Sequence, residues 1–342
     1  MTDSSTDDSA APAAPPSGAG PLNFRVLESG DESGVATLWA TETPWGAPQP
    51  ELVAWYHANP CAGSFIVVAV DAVGEVVGQI VMMATRVSVA GREVPAIHVF
   101  APIVSRAARE SVRVTGPSDH PIAQMFAYAM AEARRRQFAL IYSMPAAKWL
   151  GFFHRLPQLS YAQLPLWSLP LPLAGPLPLE NGYVVSRLVT YDERVDTLWS
   201  AASCLAGCRT IRDAGMLQWR VGGPLYDVTA VERNGELVGL VAAKEKDGQW
   251  TICDLLARDT GPSLRMTLAA ACNLGHVQSL LPNRKNPLRK VALLTTAALA
   301  PAAAELGFAR DAYDYLLLVR ALDPSIAKED VAPDLWYVSD NE

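Results

Sequence analysis

The stretch Gly74-Glu-Val-Val-Gly-Gln-Ile80 returns almost unchanged as Gly235-Glu-Leu-Val-Gly-Leu-Val241. Each copy reads as a tight turn opening into a strand, with glycine supplying the turn and an apolar run following it. The context upstream is shared as well. "WYHANPCAGSFIVVAVDAVGEVVGQIVM" starts at Trp55 and "WRVGGPLYDVTAVERNGELVGLVAA" at Trp219, so Trp55 matches Trp219, Pro60 matches Pro224, and 68–70 matches 229–231. The offset is 164 residues at the tryptophans and 161 at the turn, a three-residue slip within a loop. Strands apolar on both sides imply a sheet covered on each face. Tandem copies of one domain explain the shared frame better than a commonplace hairpin does.

Working outward, 24–28 reads as a strand and 31–42 as a short helix. Strands are expected at 64–70, 75–89, 95–105 and 139–145, with an amphipathic helix from Pro121 whose arginines favour its C-terminal end. A helix over 146–156 and a strand over 161–167 complete the first half. The second half predicts strands at 227–231, 236–243 and 250–257, a helix within 262–274, a short strand at 277–281 and a helix within 288–306, followed by "LGFARDAYDYLLLVRAL". Between the halves, 164–182 carries prolines at 165, 170, 172, 176 and 178, which forbid a helix and disfavour a central strand. The expected division is a disordered tail over 1–21, domains over 22–170 and 183–325, a proline-rich linker over 171–182 and a C-terminal tail over 326–342.

This order of elements resembles the GNAT acyltransferase fold written twice. The stretches that carry the resemblance are "FIVVAVDAVGEVVGQI", "ALIYSMPAAKWLGFFHRL", "VTAVERNGELVGLVAA" and "LGFARDAYDYLLLV". The resemblance implies an α/β (α+β) protein of two tandem GNAT-like domains, each a mixed, mostly antiparallel sheet flanked by helices. It also implies an acyl-CoA co-substrate, acetyl-CoA or another, and transfer to the amine of a small molecule or amino sugar.

The family holds the acyl-CoA pyrophosphate on a glycine-rich loop entering its central helix, where free N–H groups face the phosphates. Here that loop aligns as Ser118, Asp119, His120, Pro121, Ile122 and Ala123. Pro121 lacks an N–H, and Asp119 brings a negative charge to a phosphate site. Arg106, Arg109 and Arg113 could turn inward to offset it; equally, Ser118 or Asp119 could simply cap the helix. Backbone groups of Val104 and Ser105 are the expected holders of the pantetheine arm. The second half, "RDTGPSLRMTL", lacks the pattern too. The family's tyrosine general acid is replaced by Phe153 in one half and Ala303 in the other. His98 lies on the strand that supplies a base in this fold and Tyr142 on the next strand, so they are the candidate catalytic residues; each could also be a satisfied core side chain. His154 is turned ~100° from Phe153 on a helix, and His57, His120 and His276 read as loop histidines without nameable partners.

A net charge of -7 argues against nucleic-acid binding, and no run approaches the ~18–20 apolar residues of a membrane span. The acidic start lacks the marks of a signal peptide. Five scattered cysteines without metal spacing point to a reducing cytoplasm and no metal. Two other functions compete with acyl-CoA-dependent N-acyltransfer. One is a degenerate tandem GNAT-like binding protein, which Phe153 and Pro121 favour. The other is a Fem-like aminoacyl-tRNA-dependent transferase, which the acidic charge opposes.

Overall fold

The structure is a computed structural model and describes residues 21–111, 117–145, 160–202, 207–282 and 286–340. The expected helix over 146–156, with Phe153 and His154, lies outside these residues, as do Arg113, Cys204 and residues 1–20 of the expected tail.

Strands β1 (Asn23–Val26), β2 (Phe65–Val70), β3 (Val76–Val89), β4 (Arg92–Val104) and β5 (Leu140–Ser143) belong to the first half, followed by β6 (Ser160–Pro170). The second half contributes β7 (Tyr183–Arg187), β8 (Cys208–Thr210), β9 (Asp227–Arg233), β10 (Glu236–Lys246), β11 (Gln249–Ala257), β12 (Lys290–Leu294), β13 (Ala309–Ala321) and β14 (Trp336–Tyr337). The helices are α1 (Glu32–Glu42), α2 (Pro50–His57), α3 (Arg106–Ser111), α4 (Pro121–Arg135), α5 (Glu193–Ala201), α6 (Ala214–Val221), α7 (Pro262–Ser279) and α8 (Ala300–Glu305).

The main path of the sheet runs β1-β2-β3-β4-β5-β13-β6-β12-β11-β10-β9-β7. Read from either end, the pattern of pairings is the same. Three antiparallel pairs are followed by one parallel pair, β4 with β5 or β11 with β12, and then by an antiparallel pair with a strand of the other half. β5 pairs with β13, β12 pairs with β6, and β6 and β13 pair at the centre. The two copies therefore exchange their last strands within one sheet.

The repeated glycines have separate tasks. Gly74 and Gly235 sit at φ 92° and 82°, the left-handed region that a tight turn into a strand needs. Gly78 and Gly239 are packing positions. A Cβ on Gly78 would stand 3.1 Å from Ala69 Cβ, and one on Gly239 would stand 3.1 Å from Thr267 Cβ, on α7, and closer still to its hydroxyl. The matched tryptophans meet face to face. Trp55 on α2 and Trp219 on α6 stack at 4.5 Å and 8°. Each indole N–H donates to the other's carbonyl, at 3.2 and 2.8 Å.

Alternate strand residues explain the layers. Phe65, Val67, Ala69, Ile80, Met82, Ile97 and Val99 pack with α4, while Val68, Val70 and Ile103 pack with Val35, Leu38 and Trp39 of α1. In the second half α7 lies on β10, with Trp250 Nε1–H donating to the Ala271 carbonyl at 3.1 Å.

Three expectations are corrected. Residues 277–279 finish α7, and 280–282 are not strand; helical pairing overrides the apolar run. The strand of that region is β12, at 290–294, so only 300–305 of the expected helix is helical. Pro165 and Pro170 lie in β6, a central strand. Pro165 pairs with Asp314 where the β13 register shifts, an irregular place that tolerates a missing N–H, and Pro170 ends the strand. The chain over 171–182 then carries neither helix nor strand and is tied to α7: His276 Nδ1 accepts from Leu173 N at 3.1 Å, and Asn273 pairs with the Leu177 backbone.

The tryptophan pair sets a test. In a double-mutant cycle of Trp55→Ala and Trp219→Ala, followed by denaturant unfolding, the two losses should be coupled by about 1–2 kcal/mol, since ring stacking alone contributes ~0.5–1.5 kcal/mol. Strict additivity would show that the stack holds nothing together.

Candidate active site

The first half's site is set by where two strands part. β4 and β5 pair in parallel at Ala96–Leu140, Ile97–Ile141 and His98–Tyr142, the last rung among the described residues. β4 runs on six residues to Val104 beside β3. Between its rungs at Phe100 and Ile103 it carries an extra residue, and Ala101 there has φ 48°. The bulge bends β4 and increases its twist just past the last rung with β5. β11 repeats the device, with a register shift between its rungs at Asp254 and Ile252 and parallel pairing that ends at Ile252–Leu293.

The candidate catalytic pair occupies that last rung. The His98 and Tyr142 rings stack at 4.9 Å and 11°, and Phe100 lies 6.0 Å from the imidazole. Both residues are buried, and the Trp336 indole lies across Tyr142 at 5.2 Å and 43°. His98, Phe100 and Tyr142 face away from α4, toward α1 and the C-terminal segment.

The residues expected at the pantetheine arm and at the phosphates take part in the fold's own contacts. Val104 pairs with Gly78. Ser105 donates its N–H to the Val77 carbonyl at 2.8 Å, its carbonyl accepts from Arg109 N, and its hydroxyl accepts from Ala108 N. At the start of α4 the cap is His120, in place of the expected Ser118 or Asp119; its Nδ1 accepts from Ile122 N at 3.2 Å. An imidazole nitrogen reaches this N–H because Pro121, fixed in φ, places His120 in an extended conformation. Ser118 Oγ lies 3.4 Å from Asp119 Oδ1, Asp119 holds Gln124 through its carbonyl, and Ile122 and Ala123 are buried. Arg106 pairs with Glu110 at 2.7 Å, and Arg109 reaches Glu42 at 3.5 Å. The start of α7 is filled by the Asp259 carboxylate, which accepts from Gly261 N, Ser263 N and the Ser263 hydroxyl. Among the described residues, each helix start is already capped by a side chain of the chain itself. Of the other histidines, His57 ends α2 and His276 belongs to α7.

A cavity of about 210 Å³ opens beside the bulge on the α1 face. Its walls include Val35, Trp39, Leu52, Tyr56, Val81 and Phe100, with exposed Glu32 and His57 also lining it. Burial pushes the Tyr56 phenol up to about 12. One polar side chain lies deep in the wall. Gln79 is 1% exposed, its Nε2 points at the Ala101 carbonyl at 3.5 Å, and its Oε1 has no hydrogen-bond partner. The sequence reading passed over Gln79. Its signal was a lone amide in a strand expected to be covered on both faces.

No protein-family model matches the chain, and no curated protein sequence matches it. Solved structures do. A conserved protein of unknown function from Enterococcus faecalis V583, described as a probable N-acyltransferase, superposes with TM-score 0.61 at 10% identity, over 89% of this chain and 73% of that one. A GCN5-related N-acetyltransferase from Kribbella flavida gives 0.59 at 14% identity, over 89% and 72%. Saccharomyces cerevisiae N-myristoyltransferase with bound myristoyl-CoA gives 0.59 at 10% identity, over 87% and 82%. The chain has the GNAT fold, as its element order led us to expect. Among the described residues no helix is long and apolar enough to cross a membrane, and no group of His, Cys, Asp and Glu could hold a metal ion.

The His120 cap has a pH signature. Burial, helped by the nearby Arg109 charge, holds its imidazole below the ordinary 6.5. The folded state then binds the proton less readily than the unfolded chain. The cap's contribution is whole above pH 6.5 and is lost as pH falls through the lowered folded value. Replacing His120 with Asn, a capping side chain that does not titrate, should remove that part of the fall in unfolding midpoint between pH 7.5 and 5. Parallel midpoint curves for the two proteins would refute the assignment.

Proposed function

We propose that the chain transfers an acyl group from a thioester donor of the acyl-CoA class to the amine of a small molecule, and that the first half holds the reacting groups. The parting of β4 from β5 at the His98–Tyr142 rung, beside a bulge and a cavity, carries this reading. Solved neighbours described as N-acyltransferases and the one that binds myristoyl-CoA support the donor class.

The residues divide the work as follows. The parted strands give an extended arm a place to lie, so that acyl carbon and amine meet by position and orientation, a source of large rate gains by itself. His98 is the proton acceptor for the amine, directly or through one water. Tyr142, buried beneath Trp336, holds the imidazole flat, and we assign it to positioning rather than to proton donation. With the α4 start capped by His120, we assign donor recognition to the arm and the acyl group.

Two measurements test this. Mass spectrometry of products from an amine panel should give acyl transfer from acetyl-CoA or a longer acyl-CoA. The matching thioester of pantetheine, which lacks the nucleotide, should serve within about tenfold, ~1.4 kcal/mol. No product with any donor, and no shift in melting temperature with millimolar acyl-CoA, would turn the reading toward the non-catalytic binding protein that the occupied helix starts favour. With an active donor, His98→Ala should lower kcat/KM by about 10²–10⁴. Tyr142→Phe, which keeps the stacked ring, should stay within a few-fold; a loss as large as that of His98→Ala would make the phenol hydroxyl an acid.

A further inference from the structure

The buried amide of Gln79 belongs to no structural network that would explain it. A carbonyl oxygen shut away from water without a donor is costly, by about 1–3 kcal/mol, so a partner from outside the chain has something to repay. The assignment of its two ends follows from chemistry. Turned the other way, the side chain would bring its oxygen to 3.5 Å from the Ala101 carbonyl oxygen, two acceptors facing each other. The amine end therefore faces Ala101, and the oxygen is the end left over.

The cavity that Gln79 lines is otherwise mostly apolar: Val35 and Trp39 from α1, Leu52 and Tyr56 from α2, and Val81 and Phe100 from the sheet. Its volume of about 210 Å³ falls below the ~300–1,000 Å³ of drug-sized sites. That leaves room for one ring or a short branched chain with a short polar arm. Glu32, exposed in the lining, adds a carboxylate that attracts a cationic group from solvent. The cavity also meets the β4 bulge through Phe100 and through Gln79's contact with Ala101, so a group bound to Gln79 lies against the end of β4 that has parted from β5.

We infer that this cavity is a recognition site for a small amine with an apolar body, and that Gln79 Oε1 accepts the hydrogen bond that distinguishes it from hydrocarbons of the same shape. This deepens the acyl-transfer reading, on which it rests, by naming the acceptor class. A site built to hydrogen-bond one ligand group rejects analogues lacking it far more strongly than an apolar wall rejects a changed methylene.

The test is calorimetric titration of the full chain with 2-phenylethylamine and with propylbenzene, its isostere without a donor. The wild type should bind the amine saturably, and propylbenzene at least about tenfold more weakly. Gln79→Met, which keeps the length and removes the carbonyl, should cut amine affinity by about tenfold or more and leave the two ligands alike. Its unfolding midpoint should equal or exceed that of wild type, because an unpaired buried oxygen is gone. A second variant, Ala36→Phe on the cavity wall, should abolish binding of both. Equal affinities of amine and propylbenzene in wild type, an unchanged amine affinity in Gln79→Met, a Gln79→Met protein that fails to fold, or no saturable binding at millimolar ligand would each overturn the inference. Acylation of 2-phenylethylamine is scored separately. Binding without acylation under any acyl-CoA sinks the enzyme reading and leaves the site, while acylation of other amines without binding here does the reverse.

Discussion

A strand edge is a row of unmet donors and acceptors, and in this chain each half leaves its inner edge for the other half to close. β13, written at the end of the second half, lies between β5 and β6; β6, written at the end of the first, lies between β13 and β12. In the structure each half's parallel pair has its free edge closed by a strand of the other half, so the two halves share one sheet. The rest of the contact between halves agrees with this arrangement. The Trp55–Trp219 stack joins equivalent helices, and the Arg86 guanidinium on β3 pairs with Asp213 at the start of α6. The exchange fixes both parted strand pairs relative to the centre of the sheet.

The duplication was legible because it was written in glycine and tryptophan, residues with narrow physical roles. Gly74 and Gly235 answer to backbone conformation, and Gly78 and Gly239 to close approach. The tryptophans were matched as equivalents, but no local pattern says that equivalents stack on each other. Exchange was invisible for a similar reason: β6 is rich in proline, a mark of an edge, and only its partner's register shift explains how Pro165 sits at the centre. The run at 277–281 was misread because a stretch of five residues, three of them apolar, carries too little periodicity to separate a strand from the end of a long helix. At the site, His98 and Tyr142 were found from their strands and do share a rung. The loop before α4 was aligned correctly as a helix start, but which side chain caps it depends on Pro121 turning His120 outward from the helix, a three-dimensional matter. Gln79 gave only a weak signal in the sequence, since a buried amide becomes informative when its partners can be counted.

The C-terminal segment ties the halves together from the same face. β14 pairs with β8 and β8 with β3, while Tyr337 donates to the Leu255 carbonyl at 2.5 Å. Beneath it lies a buried charge cluster. Arg212 and Asp254 are both fully buried, with Nε to Oδ1 at 2.6 Å, and Arg220 approaches Oδ2 at 3.4 Å. Thr210 and Ser339 accept from Arg212, and its guanidinium lies 4.5 Å over the Tyr337 ring. Such a cluster contributes little net stability over a well-packed apolar one, yet losing one member leaves an uncompensated charge at a cost of about 3–5 kcal/mol. Its effect is to make the position of the segment specific, and with it the position of Trp336 over Tyr142.

Two copies of one fold need not keep two copies of one site, and the positions equivalent to the candidate pair His98 and Tyr142 differ. Counting six residues back from the rungs at Gly78–Val104 and Gly239–Ala257 sets Thr251 opposite His98, and pairing then sets Ala292 opposite Tyr142. The cavity beside Thr251 and Ala292, of about 250 Å³, is crossed by ionic and polar contacts: Lys290 pairs with Asp311, and the Tyr315 hydroxyl donates to Asp340 at 2.8 Å. Its helix start already holds a carboxylate of its own. An internal anion at that end competes with any external one by being present at every concentration, so the second half gains stability where a binding site would need vacancy. The first half keeps a neutral imidazole cap and an apolar cavity with one unmatched oxygen. The strands part in both halves, and it is the side chains of the first that suit the proposed transfer.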